Sequence, residues 1–310
     1  MSKLRNLAST FFLQLQSEYC AALEDADGSG RFCTDEWTRP TSPCSNNHTQ
    51  SLSGGGITRV LKNGAVFEQG GVNFSEVAGT LPESMSKKLI GEERTSQFFA
   101  TGVSLVIHPR SPQIPTVHAN YRYLEVESLA WFGGGTDLTP YILYEEDARH
   151  FHQVLKQYCD SYDHTLYPEF KQACDKYFYL PHRNEARGIG GIFFDYLGKS
   201  EPESLERHFE LCQALGPAFI ESYLPLVEKR KHTAWSEEQK HFQHLRRGRY
   251  VEFNLIHDRG TLFGLQTGGR IESILMSLPP AVIWEYDADY TEGFVDTALL
   301  EVLRCPREWV

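Results

Sequence analysis

The sequence has no long apolar run. Across 310 residues no uninterrupted hydrophobic stretch approaches the roughly 20 residues that span a bilayer, which argues against an integral membrane segment. Ordered cysteine patterns are also missing. The seven cysteines (Cys20, Cys33, Cys44, Cys159, Cys174, Cys212 and Cys305) are odd in number and scattered, with no Cys-x-x-Cys, so they read as reduced thiols rather than a disulfide frame or zinc knuckle. Basic charge is the minority: 30 Lys and Arg against 41 Asp and Glu give a net charge of −11, a field that repels nucleic acid and anionic membrane. The first residues lack a secretory apolar run with a cleavage site and the Arg content of an organelle presequence, so the cytoplasm is the expected compartment. Nor is there a G-x-G-x-x-G, a G-x-x-x-x-G-K-[ST], a His-Glu-x-x-His or a Gly-x-Ser-x-Gly. Nucleotide cofactors, a zinc-hydrolase helix and a serine-hydrolase elbow therefore have no support.

What is present is globular texture, with 41% hydrophobic and 23% charged residues. Leu4, Leu7, Phe11, Leu15, Tyr19 and Ala22 recur at helical spacing and predict an amphipathic opening helix. A polar stretch over about 25–55 reads as loop, and its Asn47-His48-Thr49 sequon as chance. ITRVL and AVFEQ flank Lys62-Asn63-Gly64, a strong hairpin signal. Strands are expected at 98–108, 116–126, SLAWF, LTPYILY and 190–197, with a glycine turn at Gly133-Gly134-Gly135. Helices are expected near 81–95, at 145–162 and 166–178, from a capping box at Ser200-Glu201-Pro202-Glu203 to about 229, from Ser236-x-x-Gln239, at ESILMSLPP and over 292–304. YVEFNLI and TLFGLQT read as a further hairpin, and VIWEY as a last strand. Strands joined by hairpins imply α+β: a large antiparallel sheet covered by helices on both faces, in a single domain over 1–310.

The densest chemistry lies in 98–126. If its two strands pair symmetrically about the 109–115 link, Ser104 faces Asn120 and Gly102 faces Arg122, while His118 lies opposite Val106. Alternation then puts Ser104, His118, Asn120 and Arg122 on one face, with neighbours along a strand about 7 Å apart. Such a surface suits a ligand rich in carboxylates, because Arg binds them bidentately and Ser and Asn add oriented hydrogen bonds. The alternative is a solvated sheet face. Asp137 follows the three glycines as a base, an acceptor for a ligand N–H, or a turn cap. Gln266-Thr267-Gly268-Gly269-Arg270 is either a carboxylate seat of backbone N–H groups plus a guanidinium, or an ordinary turn. The twelve histidines show no ligand spacing; His152 shares an inward stripe with Ala148, Leu155 and Cys159, and structural histidines are the reading from spacing.

GGGITRVLKNGAVFEQGGVNFSEVAG, GVSLVIHPRSPQIPTVHANYR, WFGGGTDLTPY, FYLPHRNEARGIGGIFFDYL and YVEFNLIHDRGTLFGLQTGGRIESILMSLPP occur in this order from Gly54 to Tyr286. Together they resemble the oxygen-dependent coproporphyrinogen III oxidases. The resemblance implies oxidative decarboxylation of the ring A and B propionates of coproporphyrinogen III to vinyls in haem synthesis, giving protoporphyrinogen IX, carbon dioxide and hydrogen peroxide. It implies a flat antiparallel sheet between helical layers and a homodimer. By position, Ser104, Asn120-Tyr121-Arg122 and Gly268-Gly269-Arg270 match the substrate-binding motifs. His118 matches the assigned proton donor, and Asp137 a carboxylate thought to hold pyrrole N–H groups. His108, His118, His152 and His182 match residues proposed as metal ligands in bacterial members. One departure is Tyr196 in FFDYL, where relatives usually carry a second Asp; another is a shortened link between Val126 and Trp131.

The expectation is a cofactor-free oxidase with O₂ as co-substrate. Arg122 and Arg270 hold propionates, Arg122 also counts with His118 and Asp137 among the catalytic set, and the porphyrinogen itself reduces O₂. Rival readings are a divalent-metal oxidase using the four histidines and a tetrapyrrole carrier without turnover. Residues 1–53 form the opening helix and loop, 54–286 carry the motifs, and 287–310 hold the closing helix.

Overall fold

The computed structural model describes residues 2–39, 52–266, 268–288 and 293–310. The chain begins with α1 (Ser2–Asp27), β1 (Cys33–Thr38), β2 (Ser53–Lys62), β3 (Phe67–Leu81) and α2 (Glu83–Ile90). It continues through β4 (Ser96–Pro109), β5 (Thr116–Val126), β6 (Leu129–Thr139), α3 (Glu145–Asp160) and α4 (Leu166–Tyr177). A two-strand ladder, β7 (Tyr179–Leu180) and β8 (Glu185–Ala186), precedes β9 (Gly191–Leu197). Then come α5 (Leu205–Arg230), α6 (Glu237–Glu252), a π turn over Phe253–His257, α7 (Arg259–Gln266), α8 (Ile271–Leu275) and α9 (Thr297–Arg304). Seven strands form one antiparallel sheet of order β1-β2-β3-β4-β5-β6-β9.

Alternation decides what each side of the sheet meets. In β5 every second residue, among them Val117, Ala119, Tyr121 and Tyr123, is buried, while His118, Asn120, Arg122 and Leu124 are half-buried. The buried set packs under α1 and α5. Phe12, Leu15, Tyr19 and Leu23 of α1 are buried there, each large side chain contributing about 1.5–3 kcal/mol. Gln16 donates to the carbonyls of Ile57 (2.7 Å) and Val72 (2.8 Å), tying α1 to the sheet. At the end of α1 the Asp27 carboxylate accepts from the N–H groups of Gly30, Ala65, Val66 and Phe67, which fastens the helix to the β2–β3 turn. Burial raises its pKa, but those four donors outweigh it and the carboxyl sits below its ordinary value.

The opposite face is roofed by the segment after α6. Gln69 donates to Leu278 O (2.8 Å), His108 Nε2 meets Ser277 O (2.9 Å), and Ser273 bonds Thr58 (2.6 Å). A Cβ at Gly71 would stand 1.6 Å from the sulfur of Met276, so any larger residue would have to push that side chain of the roof aside. Helices thus lie on both faces, as expected. Among the described residues no helix is long and apolar enough to cross a membrane.

Several local expectations fail for identifiable reasons. The proposed 250–267 hairpin is helical: α6, opened by a formed Ser236/Gln239 capping box, runs on into the π turn, burying Tyr250, Val251, Phe253 and Asn254 at helical spacing. Tertiary burial overrides the strand propensity of these aromatic and branched residues. Residues 281–285 are irregular; the Trp284 indole donates to Glu252 and lies over Gly248 instead of joining the sheet. The glycine triplet is no turn but the middle of β6, and β1 occupies part of the expected loop. The box at Ser200 does not form, since α5 begins after a 3₁₀ turn with no side-chain cap. In α1 the buried stripe is shifted, leaving Leu7 exposed. Cys44 and the Asn47 sequon lie outside the described residues.

Candidate active site

The β4–β5 pairing has the expected register: Gly102 opposite Arg122, Ser104 opposite Asn120, Val106 opposite His118. β6 extends each row, placing Gly133 beside Arg122, Gly135 beside Asn120 and Asp137 beside His118. Ser104, His118, Asn120 and Arg122 therefore share the half-open face.

His118 Nδ1 lies 2.9 Å from Asp137 Oδ1. A carboxylate only accepts, so Nδ1 carries the proton and Nε2 is left for a ligand. Asp137 itself is buried. Nη2 of Arg187 reaches both of its oxygens, at 2.7 and 2.8 Å, and Nη1 donates to Asn254 Oδ1 at 2.8 Å. The rings of Phe178, Tyr250 and Phe253 stand 4.1, 4.6 and 4.8 Å from the Arg187 guanidinium and hold it by cation–π contact. Burial alone raises the Asp137 pKa; the Arg187 charge and the His118 contact outweigh it and keep the carboxyl below its ordinary value. Asp137 thus presents no exposed edge, and its contact toward the half-open face is the His118 imidazole. Asp258, just after the π turn, accepts from Tyr177 OH (2.9 Å) and Thr261 N (2.7 Å). Burial raises its pKa, but the Thr261 donors foremost, with the Tyr177 hydroxyl, hold it low.

Arg122 donates to Asn120 Oδ1 (3.1 Å) and pairs with Asp195 (2.9 Å). β9 makes this possible. Its pairing with β6 slips between Phe132/Leu197 and Gly134/Phe194, so Asp195 and Tyr196 bulge opposite Gly133, and Tyr196 takes φ of +60°. A Cβ on Gly133 would come within 2.7 Å of Asp195 Oδ1 and 2.9 Å of Arg122 Nε, so the pair meets across a glycine gap. Arg259 reaches the same Asp195 oxygen at 3.4 Å while lying over the Tyr177 ring.

A buried acid–base couple behind a half-exposed imidazole, beside two convergent guanidiniums, is a place for an anionic ligand that exchanges protons. Comparison with known proteins decides which. The profile of the coproporphyrinogen III oxidase family matches residues 8–309. The chain is 49% identical over 330 residues to a protein of Synechococcus sp. (strain CC9902) named oxygen-dependent coproporphyrinogen-III oxidase, covering 99% of this chain and 88% of the relative. The chain belongs to the coproporphyrinogen III oxidase family. It is of the oxygen-dependent form, an oxidoreductase of haem biosynthesis.

The remaining residues that the family resemblance singled out fall in three groups. Arg270 joins the polar face from the roof: it donates to Ser273 (3.1 Å), whose hydroxyl bonds Thr58, and it pairs with Asp35. Thr58 lies in one row with Asn73, Ser104 and Asn120, three strand spacings or about 14 Å from Asn120. Gly268 takes φ of +69°, and its carbonyl accepts from Arg39 (3.0 Å). A Cβ on Gly269 would stand 2.6 Å from the Gly264 carbonyl. Tyr121, by contrast, points to the other face, where its hydroxyl donates to Leu215 O (2.9 Å).

The four histidines do not converge. His108 bonds Thr116 and Ser277, His118 bonds Asp137, His152 bonds Tyr167 OH and Ile189 O, and His182 bonds His257 and Glu252. Burial pushes His108 and His152 down to about 3, so both are neutral packing groups. Among the described residues no three His, Cys, Asp or Glu side chains form a metal-holding group, and these residues do not fit a shared ion. Arg187, Asp195, Asp258 and Arg259 stand inside the quoted motifs, but spacing did not single them out. One signal was available: a buried Asp beside a His requires a cation.

Proposed function

We propose that coproporphyrinogen III lies on the half-open sheet face. Arg122, with Ser104 and Asn120, would hold one propionate, and Arg270 with the backbone around Gly268 and Gly269 another. The observation that carries this reading is the register that puts Ser104 opposite Asn120 and sets Arg122 and His118 on the same face of β5, two residues to either side of Asn120. In a protein of net charge −11, a tetra-anion needs such a local cluster, and each charge-assisted pair contributes roughly 1.5–3 kcal/mol.

The chemistry balances without a resident cofactor. One propionate, one O₂ and one proton give one vinyl group, one carbon dioxide and one hydrogen peroxide: O₂ gains two electrons, the side chain loses them, and one negative charge disappears. The electron-rich pyrrole passes electrons to O₂, the resulting peroxide removes a β-hydrogen, and the C–C bond to the carboxylate breaks as the vinyl forms. His118, held by Asp137 and Arg187, would exchange the proton through Nε2. Tyr121 takes no part through its side chain. We further read the protein as a single-domain homodimer of the cytoplasm, in keeping with six free cysteines among the described residues.

The test is product analysis after incubation with coproporphyrinogen, with and without O₂, before and after dialysis against a chelator. The expected result is vinyl product, carbon dioxide and peroxide only with O₂, unchanged by the chelator. Turnover lost on chelation and restored by a divalent metal would overturn the cofactor-free reading, and binding without any product would leave a carrier.

A further inference from the structure

Asp195 stands at the proposed Arg122 propionate seat but has no part in the reading above. Its carboxylate is largely buried, with a side chain 12% exposed, and two guanidiniums, Arg122 at 2.9 Å and Arg259 at 3.4 Å, converge on one oxygen. Its other oxygen accepts from the Tyr196 N–H (3.0 Å). The β9 bulge and the missing side chain at Gly133 aim it there. Two guanidiniums share this one carboxylate directly, and Asp258, held by the Tyr177 hydroxyl beneath Arg259, is the next acid near the seat. The Arg122 side chain is still 33% exposed on the half-open face.

When the propionate at Arg122 is the one that reacts, its decarboxylation removes the charge that the seat holds. A substrate carboxylate brought to Arg122 leaves as neutral carbon dioxide, and a desolvated guanidinium without an anion is costly. We infer that Asp195 is the resident counter-ion of this seat: it weakens the grip on the substrate carboxylate and takes over Arg122 and Arg259 when that carboxylate is lost. It acts through the two arginines, not on the substrate, and is a positioning residue that evens out the charge before and after the reaction. An uncompensated pair of guanidiniums would bind the carboxylate ground state more tightly than a transition state in which its charge is dispersing, which slows the chemical step. Arg270 with Asp35 repeats the arrangement, but there the carboxylate is 53% exposed and water supplies much of the same service.

This inference rests on Arg122 being a propionate seat, and the experiment separates the two. Steady-state kinetics with coproporphyrinogen are measured for Asp195→Asn, Arg122→Gln and the double variant, with binding of oxidised coproporphyrin III followed by fluorescence. Asp195→Asn should lower KM and kcat together, each about tenfold, the equivalent of half to one charge-assisted contact. The dissociation constant of coproporphyrin III should fall in parallel. In the double variant the tightening should shrink to less than threefold, because its main route, Arg122, is gone. A raised KM for Asp195→Asn, or no change in either constant, would overturn the counter-ion role; the first result would mean that Asp195 merely props Arg122 in place. Asp195→Glu, which keeps the charge, should retain the wild-type KM within about threefold, so that a KM drop shared by both variants would also count against it. If Arg122→Gln binds substrate normally, the seat itself falls, whatever Asp195→Asn does.

Discussion

The two faces of the sheet are made by alternate residues of the same strands, yet they handle polar groups in opposite ways. On the α1/α5 face the polar atoms are closed off: the hydroxyls of Tyr19, Tyr121 and Tyr223 donate to the carbonyls of Gly216, Leu215 and Pro115. Burial pushes all three phenols well above their ordinary pKa, so they remain neutral donors with nothing left for a ligand. On the other face the polar atoms are charged and only partly committed. Arg122 and His118 stay partly exposed, and His118 keeps Nε2. One face spends its hydrogen bonds on the fold; the other holds them in reserve for a substrate, at the cost of placing charges where water is scarce.

The Arg187–Asp137 pair tests that contrast hardest, because it belongs to the polar face but is buried as deeply as the other. Arg187→Gln strands an uncompensated carboxylate, so the expected loss is about 3–5 kcal/mol. In thermal denaturation that appears as a fall in Tm of the order of 10 °C. Activity should drop as well, because His118 loses its fixed acceptor. An unchanged Tm would mean that the buried couple is not a couple in solution.

A smaller effect concerns His108 and His152, both neutral in the fold and held down to about 3 chiefly by burial. Their unfolded counterparts titrate near 6.5, so between those values the unfolded chain binds more protons. Stability is fully present above about 6.5 and is lost as pH falls, by about 1.4 kcal/mol per pH unit for each histidine. Denaturant unfolding at pH 7 and 5.5 measures this. His152→Gln should flatten the slope by about one proton, and a slope left unaltered would show that His152 is protonated in the fold.

Much of this arrangement was legible in the chain. The 109–115 link sets the β4–β5 register, and alternation then puts Ser104, His118, Asn120 and Arg122 together. The capping box at Ser236 is equally local. What stayed hidden depends on distant segments. Arg187 meets Asp137 from 50 residues away, and nothing in its own neighbourhood marks it. The bulge that aims Asp195 is a property of the β6–β9 pairing, not of FFDYL alone. Asp258 and Arg259 sat inside a stretch whose aromatic and branched residues suggested a hairpin, whereas the run of α6 into a π turn carries them to Tyr177 and Asp195. The histidines misled for the opposite reason: family position grouped four side chains that the fold satisfies separately.

Tyr121 and Arg122 are sequence neighbours on opposite faces, and replacing each in turn is the most direct measurement. Equilibrium binding of coproporphyrin III, with urea unfolding alongside, should separate them. Arg122→Gln should weaken binding about ten- to hundredfold, in line with loss of one charge-assisted contact, with a stability loss below that of Arg187→Gln because Arg259 still pairs with Asp195. Tyr121→Phe should lose about 1 kcal/mol of stability and bind normally. Tight binding by Arg122→Gln, or weakened binding by Tyr121→Phe without a loss of stability, would contradict the assignment of the substrate to the half-open face.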